Sequence, residues 1–112
     1  MDKLEKYREV IKAILKRHAA HQSTEGSIDD IAICDEKTDN YILAGVGWHR
    51  NKKRQHGFPI HVRLKNEKFW VEWDGTEYGV AQELLDAGVP KEDIVLSFYS
   101  EKHRKLTDLA VA

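Results

Sequence analysis

The sequence predicts an α+β domain: a long N-terminal helix, a four-stranded antiparallel meander, a second helix and a short C-terminal strand or helical segment. Three observations carry that reading. Apolar residues recur at helical spacing before residue 21, alternate with polar residues over 28–75, and return to helical spacing near residue 80. With 112 residues, the chain fits one domain, 1–112, built on one core.

The elements follow in order. Leu4, Tyr7, Ile11, Ile14, Leu15 and His18 form one stripe among Lys, Arg and Glu, which predicts a helix over 2–21 with Asp2 as its N-cap. QSTEGS (22–27) supplies stop and turn residues. IDDIAICD (28–35) reads as a strand, EKTDN (36–40) as a turn and YILAGVGWH (41–49) as a second strand. There Ile42, Ala44, Val46 and Trp48 share one face. Gly45 and Gly47 sit on the other, where a glycine marks a bulge or the close approach of another element.

FPIHVRLKN (58–66) sets Ile60, Val62 and Leu64 against His61, Arg63 and Lys65. After an NEK turn, KFWVEWDG (68–75) is the fourth strand, with Trp70 opposite Phe69, Val71 and Trp73. One face of such a meander packs the helices and the other is polar or aromatic. Val80, Ala81, Leu84 and Leu85 then stripe a second helix over 77–87, with Thr76 as its cap and Gly88 at the C′ position. DIVLSFY (93–99) is a further strand or extended segment, and the apolar end (Leu106, Leu109, Ala110, Val111) is expected to pack.

Composition narrows the function classes. Charged residues make up 33% and hydrophobic ones 41%, the profile of an ordinary folded domain and not of a disordered chain. No apolar run suits a membrane span, and MDKLEKYREV lacks the apolar stretch of a signal peptide, so a cytoplasmic location is expected. The lone Cys34 offers neither a disulfide nor a zinc framework. Net charge is −1, yet its distribution is bipolar: residues 72–93 carry seven acids against one Lys, while the 50–56 stretch is basic. A surface of that kind steers a partner of opposite polarity, or a second copy, better than it coats a phosphate backbone.

Several segments together resemble the XisI family: MDKLEKYREVIKAIL at the start, VGW (46–48), HG-x-x-IHV (56–62) and KFWVEWDGTEYGVAQELLDAGVPKEDIVLSFYSEKHRK (68–105). The resemblance spans nearly the whole chain, and DGTE-x-G-x-A followed by GVPK-x-DIVL-x-F is its most specific part. It implies a controlling factor for excision of an fdxN-type DNA element, as in heterocyst-forming cyanobacteria, acting beside a separate recombinase. It also implies a companion of nuclease fold, XisH, as partner. It brings no catalytic residues and no cofactor, so no enzyme is expected.

The residues themselves agree with that absence of chemistry. His49, His56 and His61 fall near one hairpin, but without Cys and without paired ligand spacing no metal is expected. Ser97, Ser100 and Cys34 have no elbow or triad signature, and Cys34 reads as a small strand residue. Asp29, Asp30, Asp35, Glu36 and Lys37, or Glu72, Asp74 and Glu77, supply nuclease residue types without a nuclease spacing.

Two contact surfaces remain. In HRNKKRQH (49–56), Arg50, Lys52, Lys53 and Arg54 could neutralise up to about four phosphates, enough for weak, salt-sensitive DNA contact. RNKKRQ reads as a flexible loop and first of all as a solubilising hairpin end; docking on an acidic partner ranks ahead of DNA. The second surface is the aromatic and basic sheet face, with Trp70, His61, Arg63 and Trp48, which has the composition of an interface. It is expected to pair with another copy, most simply as a dimer, or with the nuclease-fold partner.

Overall fold

The computed structural model describes residues 2–21 and 26–112. Helix α1 (Lys3–Ala20) begins where Asp2 accepts the Glu5 N–H at 2.8 Å, so the cap is the expected one. Four antiparallel strands follow: β1 (Ser27–Asp35), β2 (Asn40–Trp48), β3 (Arg54–Lys65) and β4 (Lys68–Asp74). Of the turn expected at 22–27, positions 22–25 lie outside the described residues. Helix α2 (Val80–Asp86) and a 3-10 turn (Lys91–Asp93) lead to β5 (Ile94–Leu96), then to the short α3 (Glu101–Arg104).

The meander and the α+β class are as expected, with one difference in the sheet. β5 pairs parallel to β4, giving a five-stranded mixed sheet in the order β1-β2-β3-β4-β5. The crossover through α2 makes this possible, because a parallel neighbour needs a helix-length connection.

Both longer helices pack on one side of the sheet. Tyr7, Ile11, Ile14 and Leu15 of α1 meet Tyr41, Leu43, Ile60, Val62, Phe69 and Val71, all buried, and Val80 and Leu84 of α2 extend the same core. The inward face of β2 is therefore that of Tyr41, Leu43 and Gly45. Gly47 is required by close approach: at φ +149°, a Cβ there would sit 1.9 Å from the Ser27 carbonyl oxygen.

Helix α2 starts three residues later than its periodicity suggests, and Thr76 does not cap it. The Asp74 carboxylate accepts the Val80 N–H at 2.7 Å and also holds Thr76, through its N–H at 2.9 Å and its hydroxyl at 2.6 Å. At the other end Gly88 takes φ +92°, and the Val89 and Gly88 N–H groups return to the Leu84 and Leu85 carbonyls. That is the expected C′ glycine in a Schellman motif.

The third strand starts at Arg54, four residues before its alternating pattern. Residues 54–59 pair only with β2, because β4 ends opposite Ile60. Pro59 is tolerated there: it falls at the bulge where the β2–β3 register shifts between Leu43 and Gly45, and its carbonyl accepts the Gly75 N–H at 2.8 Å. Beyond Ile60 the sheet thus narrows to three strands, with β1 paired to β2 as far as Trp48.

The C-terminal residues pack as their apolarity demands. Ala110 bridges to Val95 and donates to the Ile94 carbonyl at 2.9 Å, Leu109 joins the core, and Leu106 stays exposed. Among the described residues no helix is long and apolar enough to cross a membrane.

Candidate functional site

The face of the sheet turned away from the helices is open. Antiparallel partners share a face, so the register lays out its rows. Ile33 stands beside Ile42 and His61, Asp35 beside Asn40 and Arg63, and Asp29 beside Val46 and His56. Ile31 stands beside Ala44, with Phe58 at the β3 bulge, and Ser27 beside Trp48 and Arg54. Ile31 is 45% exposed, Ile33 44%, Trp48 51% and Phe58 54%. Large apolar side chains this exposed on three neighbouring strands, with charged residues among them, make this face the candidate site.

His61, Arg63 and Trp70 do come together on this face. Arg63 pairs directly with Trp70 across β3 and β4, and its guanidinium lies 3.8 Å from Glu72. His61 contacts the Asn40 side-chain oxygen at 2.9 Å, and burial pushes its pKa down despite the nearby Glu72. Trp70 lies flat: its indole N–H donates to the Lys65 carbonyl at 3.0 Å, and the Lys65 ammonium sits 4.8 Å from the ring centroid.

Trp48 shares the face but not the cluster. It pairs with Arg54, seven positions before His61 along β3, so roughly 23 Å of strand separates them. Its ring carries the Arg54 guanidinium at 5.2 Å. Trp73, expected on the face of Phe69 and Val71, is exposed and edge-on to Phe98 at 5.9 Å. A register shift at His61/Val62 interrupts the alternation just before it.

The basic tip is an ordered turn and not the flexible loop its composition suggests. The Lys52 N–H donates to the His49 carbonyl and the His49 N–H to the Lys53 carbonyl, both at 2.9 Å, and Asn51 accepts from the Lys53 N–H at 3.0 Å. Lys52 takes φ +68° to close it. Arg50, Lys52 and Lys53 point their charges outward from exposed positions, while Arg54 is turned onto Trp48 and donates to the Gly47 carbonyl at 3.3 Å.

Several of the candidate chemical groups have structural partners. His49 contacts Gln55 at 3.0 Å, away from His61, and His56 stands on the open face. Among the described residues no group of three His, Cys, Asp or Glu side chains is placed to hold a metal. Asp35 accepts from Lys37 and Thr38 within its turn, and these bonds hold its pKa down. Glu36 pairs with Lys12, Asp74 caps α2, and Asp29 and Asp30 point to opposite faces of β1.

A cavity of about 340 Å³ lies between α1 and the sheet, beside His18, His21, Asp30 and Glu83. There His18 and Arg17 contact Glu83, at 2.7 and 3.5 Å, and tie α1 to α2. Cys34 lies on the exposed edge strand, and burial of its sulfur pushes the thiol pKa up, away from reactivity.

The residues that the alternation pattern does not single out are Ile31, Ile33 and Phe58. Their signal was present: in IDDIAICD, Ile31 and Ile33 alternate with Asp30, Ala32 and Cys34, and Ala32 packs on the core. A strand with small residues inward leaves its large ones outward.

The family model described as XisI protein matches residues 1–111. A crystal structure of the fdxN element excision controlling factor XisI from Anabaena variabilis is similar, with TM-score 0.81 and 36% identity, over 99% of this chain and 100% of that one. A XisI-like protein from the same organism is similar as well, with TM-score 0.86 and 33% identity, over 97% of this chain and 99% of that one. No curated protein matches.

Proposed function

Since the chain belongs to the XisI family, we propose that it is an accessory protein controlling excision of a DNA element, and that it acts by contact with a nuclease-fold partner of the XisH kind. One observation carries the reading: large apolar side chains stand exposed on the open face of the sheet, while carboxylates such as Asp74 and Asp39 are engaged in a cap and an ion pair. Such a surface does binding work, and chemistry is left to the partner. The contact centres on Trp70, with His61 and Arg63 beside it, where an aromatic ring and a guanidinium lie on one rigid face.

The test is co-purification with the nuclease-fold protein of the same genome at about 0.3 M salt, where exposed charge pairs are screened. A complex that survives, and that Trp70→Ala weakens without unfolding the chain, supports the reading. A chain that elutes free of that partner overturns it.

A second reading has its own observation, the exposed basic turn that closes the β2–β3 hairpin beyond its last pair with β1; strands are among the elements that enter DNA grooves. With Arg54 stacked on Trp48, the tip's other exposed cations are Arg50, Lys52 and Lys53. Three phosphate contacts give only weak affinity that falls steeply with salt, so this role is secondary to partner binding.

A further inference from the structure

We infer that the open face of β1–β3 is the seam of a two-fold homodimer in which a second copy packs sheet on sheet, with the symmetry axis running along β2. The argument goes beyond the nuclease-fold reading and starts from what symmetry demands. In an isologous contact, residues on the axis meet their own copies, so none of them can carry charge. The outward residues of β2 are Asn40, Ile42, Ala44, Val46 and Trp48, and none is charged.

The flanking strands then have to complement each other, because an axis along β2 lays β1 over the second copy's β3. The outward residues of β1 are Asp29, Ile31, Ile33 and Asp35, after the neutral Ser27. Those of β3 are Arg54, His56, Phe58, His61 and Arg63. Row by row, Asp35 meets the second copy's Arg63, Ile33 meets His61, Ile31 meets Phe58 and Asp29 meets His56, with Ser27 opposite Arg54 beyond them. Acid faces base in two of these rows, and between them the two isoleucines face Phe58 and the imidazole of His61.

An axis across the strands would instead set β1 on β1 and bring like charges together, which is destabilising. Aligned face-to-face sheets at roughly 10 Å separation are a standard packing. β4 and β5 fall outside this seam, so Trp70 remains available to a partner, whereas His61 and Arg63 lie within the seam.

The test is sedimentation equilibrium of the purified chain at about 50 µM and at serial dilutions, far above the dissociation constant of a stable dimer. The wild type is expected to be a dimer. Ile31→Lys/Ile33→Lys should raise its dissociation constant about 100-fold or more, by burying two unpaired charges in each half of the seam. Both positions are half-exposed, so the circular dichroism spectrum should not change.

Charge reversal tests the axis. Asp29→Lys should weaken the dimer, and adding His56→Glu should restore it. A monomeric wild type overturns the proposal, as does a dimer indifferent to the Lys pair. An Asp29→Lys/His56→Glu chain no tighter than Asp29→Lys alone overturns the axis along β2. A chain that is monomeric alone but binds the nuclease-fold protein sinks the dimer while sparing the function proposed above.

Discussion

Asp93 shows what a single buried carboxylate contributes. It accepts a hydrogen bond from the Tyr7 hydroxyl at 2.5 Å and pairs with the Lys3 ammonium at 2.9 Å. Burial by itself would push its pKa up, but those two partners hold it below the ordinary carboxylate value. Burial and the same hydrogen bond push Tyr7 the other way, well above the usual tyrosine range. A depressed folded-state pKa gives stability that is present above the unfolded value of about 4 and is lost as pH falls through the lower, folded value. Asp39, held down by the Arg8 guanidinium, acts in the same direction. Asp93→Asn should therefore cost about 1–3 kcal/mol at neutral pH. In urea unfolding, the gap between wild type and variant should narrow in acid relative to neutral pH, as Asp93 loses its charge below the ordinary carboxylate value. An equal gap at both pH values would mean that the carboxylate acts through packing alone.

At the scale of the element, the start of α2 separates what local sequence shows from what it hides. Asp2 was legible as a cap because it adjoins the helix it serves, and Gly88 because a left-handed residue after a helix is a local requirement. Thr76 was misleading for the same reason. The true acceptor, Asp74, reaches Val80 across an intervening turn, and only the folded 75–79 segment brings the two together. Thr76 serves that turn by donating its hydroxyl to the same carboxylate. Asp74→Ala should cost about 1–2 kcal/mol, near the upper end for a cap, because it frees the Val80 N–H and the Thr76 donors at once. Thr76→Val should cost less, since only one of those bonds disappears. Thermal melts of the two variants rank them, and a larger loss for Thr76→Val would put the cap back on the threonine. The tip follows the same logic. RNKKRQ has the composition of a loose loop, but the backbone bonds between His49 and Lys53 depend on strand pairing that composition does not report.

For the molecule as a whole, the α+β layering was legible because period-2 and helical patterns hardly overlap along this chain, and the cluster of His61, Arg63 and Trp70 because plain alternation places it. The fifth strand's parallel pairing and the distance of Trp48 from that cluster depend on strand lengths and bulges, which side-chain patterning leaves open. The open apolar face has a thermodynamic consequence for the assembled protein. If two folded copies share the β1–β3 seam, unfolding converts one dimer into two chains, and its midpoint depends on concentration. Tenfold dilution removes about 1.4 kcal/mol per dimer, half of that per chain, which for a domain of this size is a fall of about 3 °C. The Ile31→Lys/Ile33→Lys chain should melt at one temperature whatever its concentration, because its folded state is already a monomer. The wild-type midpoint should shift in 0.05 M as well as in about 0.3 M salt, since the centre of the seam is apolar and only its ends are ionic. A shift confined to low salt would assign the association to the charged ends, with Ile31, Ile33 and Phe58 left outside it.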